Sequence, residues 1–347
     1  MRRRAPILAV LAALAAAAPA HAAGQLEEVK VLTLSWVGDM AFDTGRGLPA
    51  GDVGGALGPV KDLLKADVQT GNLEGTLAVS GTSKCGGGPG GGDCFAFRAP
   101  QRYARGLRRI GFDVLNMANN HAHDYGDSGL ADTQRAVAAA GIVPAGLNGQ
   151  ITRLRVNGAT LAFVGFSSYP WSWPLNDAGA VASVVRTAAE QADLVVVFFH
   201  GGAEGADKTH VPFGTETAFG ENRGNLRLFA HTAIDAGAGL VLGSGPHVIR
   251  GIERYRNRMI AYSLGNFAGP NTLGTSGTTG LSAILRVKLT DDGDVLGGRW
   301  IPIRLESPGV PRYDPSRASV HLVRSLSAAD FGRRFPITST GRIRPAT

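Results

Sequence analysis

Five short segments of the sequence carry side chains that could bind a metal ion or transfer a proton. The densest lies at residues 116–126, where Asn120 and His121 follow an apolar run at residues 112–115. Carboxylate, amide oxygen and imidazole groups are the ligands that divalent ions such as Mn, Zn and Fe accept. The candidate metal ligands from the five segments are Asp39, Asn72, Glu74, Asn120, His200 and His247.

Each of these segments follows apolar residues and contains or adjoins glycine. A single histidine or aspartate at a strand end is usually structural, but five such segments are difficult to explain by packing alone. A divalent ion held by them would lower the pKa of bound water and polarise a phosphoryl or carbonyl oxygen. The residues therefore predict metal-dependent hydrolysis, and a polar pocket that binds no metal is the alternative.

Strands must position these groups, and the sequence predicts strands directly before them. Apolar or β-branched runs that end in the five segments occur at residues 29–37, 66–71, 112–117, 194–199 and 239–242. Helical patterns separate several of these runs, for example at residues 100–111 and 130–140. Polar groups at the carboxyl ends of parallel strands are where open α/β sheets build their sites.

The second half of the chain turns from alternating strands and helices to hairpins. Turn signals between apolar runs lie at residues 157–158, 256–258 and 291–294. This pattern predicts an α/β fold with mixed sheets in one domain at residues 23–305, followed by an Arg- and Pro-rich extension at residues 306–347. The aromatic residues 168–173 form either a loop over a pocket or a surface packing patch.

The N-terminus has the features of a secretory signal peptide. Arginines at residues 2–4 precede an Ala- and Leu-rich run, and Ala20-His21-Ala22 matches a cleavage motif. We therefore predict a signal peptide at residues 1–22 and a secreted or periplasmic mature protein without a transmembrane segment. Export also favours a disulfide between Cys85 and Cys94. The alternative, a metal site at these cysteines, would need more ligands than their Gly-rich loop offers.

The composition argues against nucleic acid as a partner. Hydrophobic residues make up 44% and charged residues 18% of the chain, which is typical of a globular protein. The net charge is +7, and three of the positive charges lie in the predicted signal peptide. The remaining mildly basic balance suits a weak attraction to anionic polymers and is not by itself a nucleic-acid signature.

Six ordered motifs run through residues 30–270. They are Gly38-Asp39-Met40, Gly71-Asn72-Leu73-Glu74-Gly75, Ala118-Asn119-Asn120-His121, His200-Gly201-Gly202, Pro246-His247-Val248 and Tyr262-Ser263-Leu264-Gly265-Asn266-Phe267. Together they resemble the CapA family of capsule-synthesis proteins, a group related to poly-γ-glutamate synthesis. That family is similar to the calcineurin-like metallophosphoesterases, so the resemblance implies a four-layer α/β/β/α sandwich with a metal site at the strand ends.

The resemblance also implies roles for individual residues. Asn120 and His121 match a catalytic Asn-His pair, with the asparagine as ligand and the histidine as acid. Asn72 stands where a bridging aspartate is expected, and Glu74 is a carboxylate substitute beside it. Glu204 and Asn266 lie in matching segments and are expected to bind substrate, while His123 is expected at the surface or behind the site and Asp124 is expected to shape the turn.

Several positions depart from the phosphoesterase pattern. Ala41 stands where a histidine would follow Asp39, and Gly245 replaces the first histidine of a His-Pro-His motif. Asn72 is neutral, which weakens a two-metal bridge. These departures favour one divalent ion, Mn, Zn or Fe, over two.

Two functions are compatible with these residues. The first is an exported metal-dependent hydrolase of capsule or poly-γ-glutamate synthesis that acts on an envelope polymer or a phosphoester. The alternative is a non-catalytic protein that binds an anionic polymer during capsule assembly, export or attachment, together with other capsule-synthesis proteins. In that case the polymer would contact basic side chains such as Arg102, Arg105, Arg223 and Arg250.

Overall fold

The computed structural model describes residues 29–86, 94–332 and 335–345, so the predicted signal peptide lies outside the described residues. The strands are β1 (Val31–Met40), β2 (Val68–Leu73), β3 (Val114–Asn116), β4 (Val143–Ala145), β5 (Thr152–Val156), β6 (Ala159–Ser167), β7 (Trp173–Pro174), β8 (Leu194–His200), β9 (Glu216–Ala218), β10 (Glu221–Gly224), β11 (Leu240–Ser244), β12 (Ile252–Tyr255), β13 (Arg258–Ala261), β14 (Asn266–Ala268), β15 (Leu281–Thr290), β16 (Val295–Glu306), β17 (Val310–Tyr313) and β18 (Arg342–Ile343). The α-helices are α1 (Asp52–Leu57), α2 (Lys61–Leu64), α3 (Arg102–Ile110), α4 (Gly126–Ala139), α5 (Ala178–Ala189), α6 (Leu226–Asp235) and α7 (Ala318–Phe331).

Most strands belong to two mixed sheets. The first sheet has the order β17-β16-β15-β1-β2-β3-β4, with β14 beside β1 and β18 beside β16. The second sheet has the order β12-β13-β11-β8-β6-β5, with β7 beside β6. Strands β1 to β4 run parallel, and so do β6, β8, β11 and β13, while the hairpins predicted in the second half supply antiparallel strands.

Three apolar layers hold the sheets and helices together. The central layer lies between the sheets, where Trp36 of β1 stacks on Phe198 of β8 with ring centroids 4.9 Å apart. A second layer packs α1 to α4 on the outer face of the first sheet, and a third packs α5 and α6 on the outer face of the second. The predicted α/β class and the α/β/β/α layer order are therefore confirmed.

The first sheet and the central layer continue past residue 305, where the sequence predicts the domain to end. Strand β17 pairs antiparallel with β16, and Val320, Val323 and Leu326 of α7 are buried in the central layer. The C-terminal segment therefore contributes a strand and a helix to the same core. None of the described helices is long and apolar enough to cross a membrane.

Candidate functional site

Four polar side chains form a row across the parallel strands of the first sheet. Asp39 on β1 is in register with Asn72 on β2 and with Asn266 on β14. Asn72 is in turn in register with Asn116 on β3. Gly38 permits the close approach of β1 to its neighbour, because a Cβ there would lie 1.9 Å from a backbone oxygen. Strand pairing thus fixes the spacing of these four side chains.

Asp39, Glu74, His200 and His247 meet at this row, and we call them the central cluster. Ligand atoms of Asp39, Glu74 and His247 all lie within 4.8 Å of one another. His247 places Nδ1 3.2 Å from Asp39 Oδ2 and Nε2 3.6 Å from Glu74 Oε1. His200, from the second sheet, places Nε2 3.6 Å from the same Glu74 oxygen. Four of the six predicted metal ligands therefore converge at one point.

The central cluster contains buried acceptor atoms that lack donors. Both carboxylate oxygens of Glu74 and Nε2 of His200 have no hydrogen-bond partner among the described residues. Nδ1 of His200 lies 3.1 Å from Ser244 Oγ, whose hydroxyl donates to the Phe199 carbonyl, and 3.4 Å from Asn72 Nδ2. The shorter contact is with an oxygen that can accept a hydrogen bond from Nδ1–H, and with the proton on Nδ1 the lone pair is on Nε2. Because unpaired buried polar atoms are costly, a divalent cation fits these acceptors.

The protonation states within the central cluster differ between residues of similar type. Burial opposes ionisation of Asp39, but the hydrogen bond and charge of His247 hold the pKa of its carboxyl below the usual range. Burial, together with the charges of Asp39 and Glu204, raises the pKa of Glu74 well above its usual value. Burial alone would lower the pKa of His247, but the neighbouring carboxylates of Glu74 and Asp39 raise it to about 10. Burial lowers the pKa of His200.

His247 is held in an uncommon backbone conformation. Its φ of 59° lies in the left-handed region, which residues other than glycine rarely adopt and which is enriched at functional sites. Asn266 Oδ1 accepts a hydrogen bond from His247 Nδ1 at 2.9 Å, while Asn266 Nδ2 donates to the carbonyls of Gly274 and Thr279. Asn266, which the resemblance assigns to substrate binding, therefore orients His247 in this structure.

Asn72 differs from its expected role as a direct ligand. Its Oδ1 accepts hydrogen bonds from Asn116 at 2.9 Å and Asn119 at 3.1 Å, and its Nδ2 donates to Asp39 at 2.8 Å. Two donors already occupy the amide oxygen, so Asn72 holds Asp39 in place instead of facing an ion. Asn120, the sixth predicted ligand, has a buried Oδ1 without a hydrogen-bond partner among the described residues.

His121 and Asp124 form a buried pair beside the central cluster. His121 Nδ1 lies 2.8 Å from Asp124 Oδ2, and the imidazole stacks on Phe97 with ring centroids 4.1 Å apart. Lys84 contacts the other oxygen of Asp124 at 2.6 Å. Burial lowers the pKa of His121 although Asp124 opposes this shift, so the ring is neutral near pH 7. A neutral imidazole with Nδ1 held by a carboxylate can accept a proton at Nε2.

A cavity of about 750 Å³ opens over both groups. Its wall includes the predicted site residues Asn120, His121, Glu204, His247 and Asn266. The aromatic segment contributes Tyr169 and Trp171, so residues 168–173 do lie over a pocket. His123, expected at the surface or behind the site, also lines this cavity.

The four arginines proposed to contact a polyanion occupy different environments. Arg223 is 1% exposed and lines the cavity. Arg250 is 0% exposed and donates two hydrogen bonds to Glu216, so burial in an ion pair removes it from any polymer. Arg102 binds Asp52 on the helical face of the first sheet, where Arg105 also lies, so neither reaches the cavity.

Cys85 and Cys94 form the predicted disulfide, and Cys94 belongs to the cavity wall.

Several residues of the site have roles that the sequence did not indicate. Asp124 was expected only to shape a turn, yet its spacing of three residues from His121 is the usual spacing of an interacting pair in a turn or helix. Asn116 and Asn119 lie in the same polar segment as His121. Ser244 follows the fifth apolar run and was the weakest signal, because a lone serine at a strand end is common.

The family model described as Bacterial capsule synthesis protein PGA_cap matches residues 33–271, which include the whole central cluster. The chain belongs to this family. The PGA biosynthesis protein CapA of Bacillus subtilis (strain 168) is 33% identical over 178 residues, 46% of this chain and 43% of that protein. The Capsule biosynthesis protein CapA of Bacillus anthracis is 31% identical over 218 residues, 57% of this chain and 49% of that protein.

This member of the PGA_cap family thus spans just under half the length of the two curated relatives. Among solved structures, a Staphylococcus aureus protein described as a 5′-nucleotidase aligns with a TM-score of 0.42 and 14% identity. That alignment covers 85% of this chain and 58% of the other. The family of capsule and poly-γ-glutamate synthesis proteins, predicted from the six motifs, is confirmed.

Proposed function

We propose that this chain is an exported, metal-dependent hydrolase of capsule synthesis that cleaves a phosphoester or a related bond of an envelope polymer or its precursor. The proposal depends mainly on the central cluster. Buried acceptor atoms of Glu74 and His200 lack hydrogen-bond donors among the described residues, and Asp39 and His247 converge at the same point. The His121–Asp124 pair lies under the same cavity. A cation-binding cluster next to a proton acceptor is the arrangement that hydrolysis requires.

The central cluster would hold one divalent ion. Asp39 and Glu74 supply carboxylate oxygens and His200 and His247 supply imidazole nitrogens, which together suit Mn, Zn or Fe. When bound, the ion would polarise a phosphoryl or carbonyl oxygen of the substrate. One ion is favoured over two because Asn72 has no free amide oxygen to bridge a pair.

His121 and Arg223 supply the remaining chemistry on the protein side. Asp124 fixes the His121 ring, which leaves Nε2 to take up or return a proton. Arg223 is nearly inaccessible and lines the cavity, and its Nε has no hydrogen-bond acceptor among the described residues. Nη2 lies 2.9 Å from Glu204 Oε1, so Arg223 forms an ion pair with that carboxylate at the cavity wall. An anionic oxygen of the substrate would compete with Glu204 for this guanidinium.

A hydrolysis assay with matched histidine variants tests this function. The Mn- or Zn-loaded protein is incubated with p-nitrophenyl phosphate, bis-p-nitrophenyl phosphate and γ-glutamyl-p-nitroanilide. We expect hydrolysis of at least one phosphoester, and a rate about 10²–10⁴-fold lower for His121→Ala. The control is His231→Ala, which removes a histidine that binds Glu253 at 2.9 Å and does not line the cavity.

The control variant should keep the wild-type rate. If the metal-loaded wild type hydrolyses none of the three compounds, or if His121→Ala hydrolyses them as fast as wild type, the proposed function is wrong.

A further inference from the structure

One wall of the cavity is a stack of three rings. His123 and Trp171 are nearly parallel, with ring centroids 4.7 Å apart, and Trp171 and Tyr169 are parallel at 5.0 Å. Trp171 Nε1 donates to the Asn119 carbonyl at 2.8 Å, which attaches the stack to the loop of the central site. Arg223 donates to the Tyr169 hydroxyl at 3.2 Å. The stack is therefore held by hydrogen bonds at Trp171 and at Tyr169, close to the His121–Asp124 pair.

Phe219 lines the same cavity from a strained turn. It connects β9 and β10, its side chain is 76% exposed, and its φ is 51°. Bulky residues seldom adopt this left-handed conformation, whereas glycine adopts it freely, as Gly220 does next to it with a φ of 77°. An exposed apolar ring contributes little to the core, so neither packing nor turn geometry explains a phenylalanine here. Backbone strain of this kind concentrates where a side chain serves a ligand.

The ribbon of β9 and β10, which carries Phe219 in its turn, is anchored through both of its strands. Glu216 on β9 accepts hydrogen bonds from the buried Arg250 at 2.8 and 2.7 Å. Glu221 on β10 accepts a hydrogen bond from the Tyr169 hydroxyl. Both strands are therefore hydrogen-bonded to neighbouring elements, and the turn with Phe219 lies between these two anchors.

The charges of the cavity wall are mixed. Lys84 and Arg223 are matched by Glu204 and Glu221 on the described part of the wall. A polymer with one carboxylate per unit, such as poly-γ-glutamate, would require an excess of cations. Aromatic rings interspersed with donors and acceptors instead suit a ligand ring that is apolar on its faces and hydroxylated at its edge. The disulfide between Cys85 and Cys94 at the cavity wall is typical of an exported protein.

We propose that this cavity is a subsite for a sugar ring of an envelope glycan, gripped by Phe219 and the stack of His123, Trp171 and Tyr169. This subsite would define the substrate class of the proposed hydrolase. Binding of the sugar does not depend on the proposed function, and only the reaction of the bound sugar rests on it. The sugar binds through the aromatic surfaces, and its anionic or ester-bearing end faces the central cluster.

Calorimetric titration of the metal-free chain tests binding separately from catalysis. The probe is the β-1,4-linked trimer of N-acetylglucosamine, and the comparison ligands are a γ-linked glutamate oligomer and adenosine monophosphate. We expect saturable binding of the trimer, weakened roughly tenfold in Phe219→Gly through the lost ring contact. Because glycine relieves the left-handed strain, Phe219→Gly should melt at or above the wild-type temperature.

Phe213→Ala is the matched control. Phe213 is 86% exposed, packs against Arg227 and does not line the cavity, so its removal should leave the trimer affinity unchanged. Binding of only the glutamate oligomer or only the nucleotide would overturn the proposal, as would no binding of the trimer or full affinity in Phe219→Gly. Trimer binding that depends on Phe219 in a protein without hydrolytic activity would contradict the proposed function alone. Hydrolysis without trimer binding would contradict the subsite alone.

Discussion

At the scale of single residues, position in the central cluster decides the protonation state more than residue type does. His200 and His247 are neighbours, yet burial lowers the pKa of the first, while the carboxyl groups of Glu74 and Asp39 outweigh burial and raise the pKa of the second. Asp39 is ionised beside His247, whereas Glu74 has a raised pKa. The His247 imidazolium thus balances the charge of the ionised carboxylate. A divalent ion would take over this role and leave the imidazole as a neutral ligand.

Asp124 gives the sharpest prediction at this scale. Asp124→Asn keeps the size of the side chain but removes the carboxylate that holds His121 Nδ1. We expect the hydrolysis rate of the metal-loaded protein to fall at least about tenfold, because His121 contributes about 10²–10⁴-fold only when correctly oriented. The metal content should stay unchanged, since Asp124 is outside the central cluster. Rates and metal analysis on the same preparation check both statements.

Glu253→Gln is the control for this substitution. Glu253 also binds a histidine, His231, but this pair is outside the cavity wall, so its rate should match wild type. A wild-type rate in Asp124→Asn would show that Asp124 serves only the turn.

The sequence could predict the members of the central cluster but not all of their roles. Asp39, His200 and His247 each follow an apolar run, which is visible in the sequence. The role of Asn72 depends on two further asparagines, whose amide groups donate hydrogen bonds to its side-chain oxygen. This arrangement follows from the strand register. Register between distant strands is set by the whole sheet and is not encoded in a local pattern.

At the scale of elements, long strands with strong periodicity were predictable and short polar ones were not. The hairpin of β5 and β6 follows from Asn157-Gly158, which is a strong turn signal. The ribbon of β9 and β10 has no such local signal, because its strands hold only three and four residues and show no apolar alternation. It is positioned by tertiary contacts of Glu216 and Glu221 instead.

The attachment of residues 79–80 to α4 gives a prediction about pH. Asp132 on α4 accepts hydrogen bonds from the Ser80 hydroxyl and from the backbone N–H groups of Ser80 and Val79, which lowers its pKa to about 2. A depressed folded-state pKa stabilises the protein above the unfolded-state value of about 4, and this stabilisation is lost as the pH falls towards 2.

Asp132→Asn should remove this part of the pH dependence. Urea unfolding between pH 5 and pH 2.5 should show a smaller loss of unfolding free energy in the variant than in wild type. Equal slopes for the two proteins would contradict the role of Asp132.

At the scale of the whole molecule, the two sheets and the C-terminal helix share one core. Leu326 and Val323 of α7 pack in the central layer with residues of both sheets, although the sequence suggested an extension beginning at residue 306. The helical pattern of α7 is weak because serine, histidine and arginine interrupt it. The burial of α7 depends on its contacts with β12 and β16, which belong to different sheets. A local sequence pattern therefore could not predict that this helix is buried.

Truncation after residue 305 should therefore unfold the protein. It removes β17 and α7 and exposes the part of the central layer that Val320 and Leu326 cover. The milder change Leu326→Ala should lower the free energy of unfolding by about 2–5 kcal/mol through the cavity it leaves. Circular dichroism and thermal melting check both. A truncated chain that melts cooperatively near the wild-type temperature would establish an independent domain before residue 306.

Metal content shows whether one divalent ion binds to the central cluster. The chain is loaded with Mn²⁺ or Zn²⁺, freed of excess metal and analysed for ions per chain, alongside Glu74→Gln and the control Glu253→Gln. We expect about one ion in wild type and in the control, and almost none in folded Glu74→Gln. Wild-type protein that remains metal-free, or Glu74→Gln that retains its ion, would contradict this expectation.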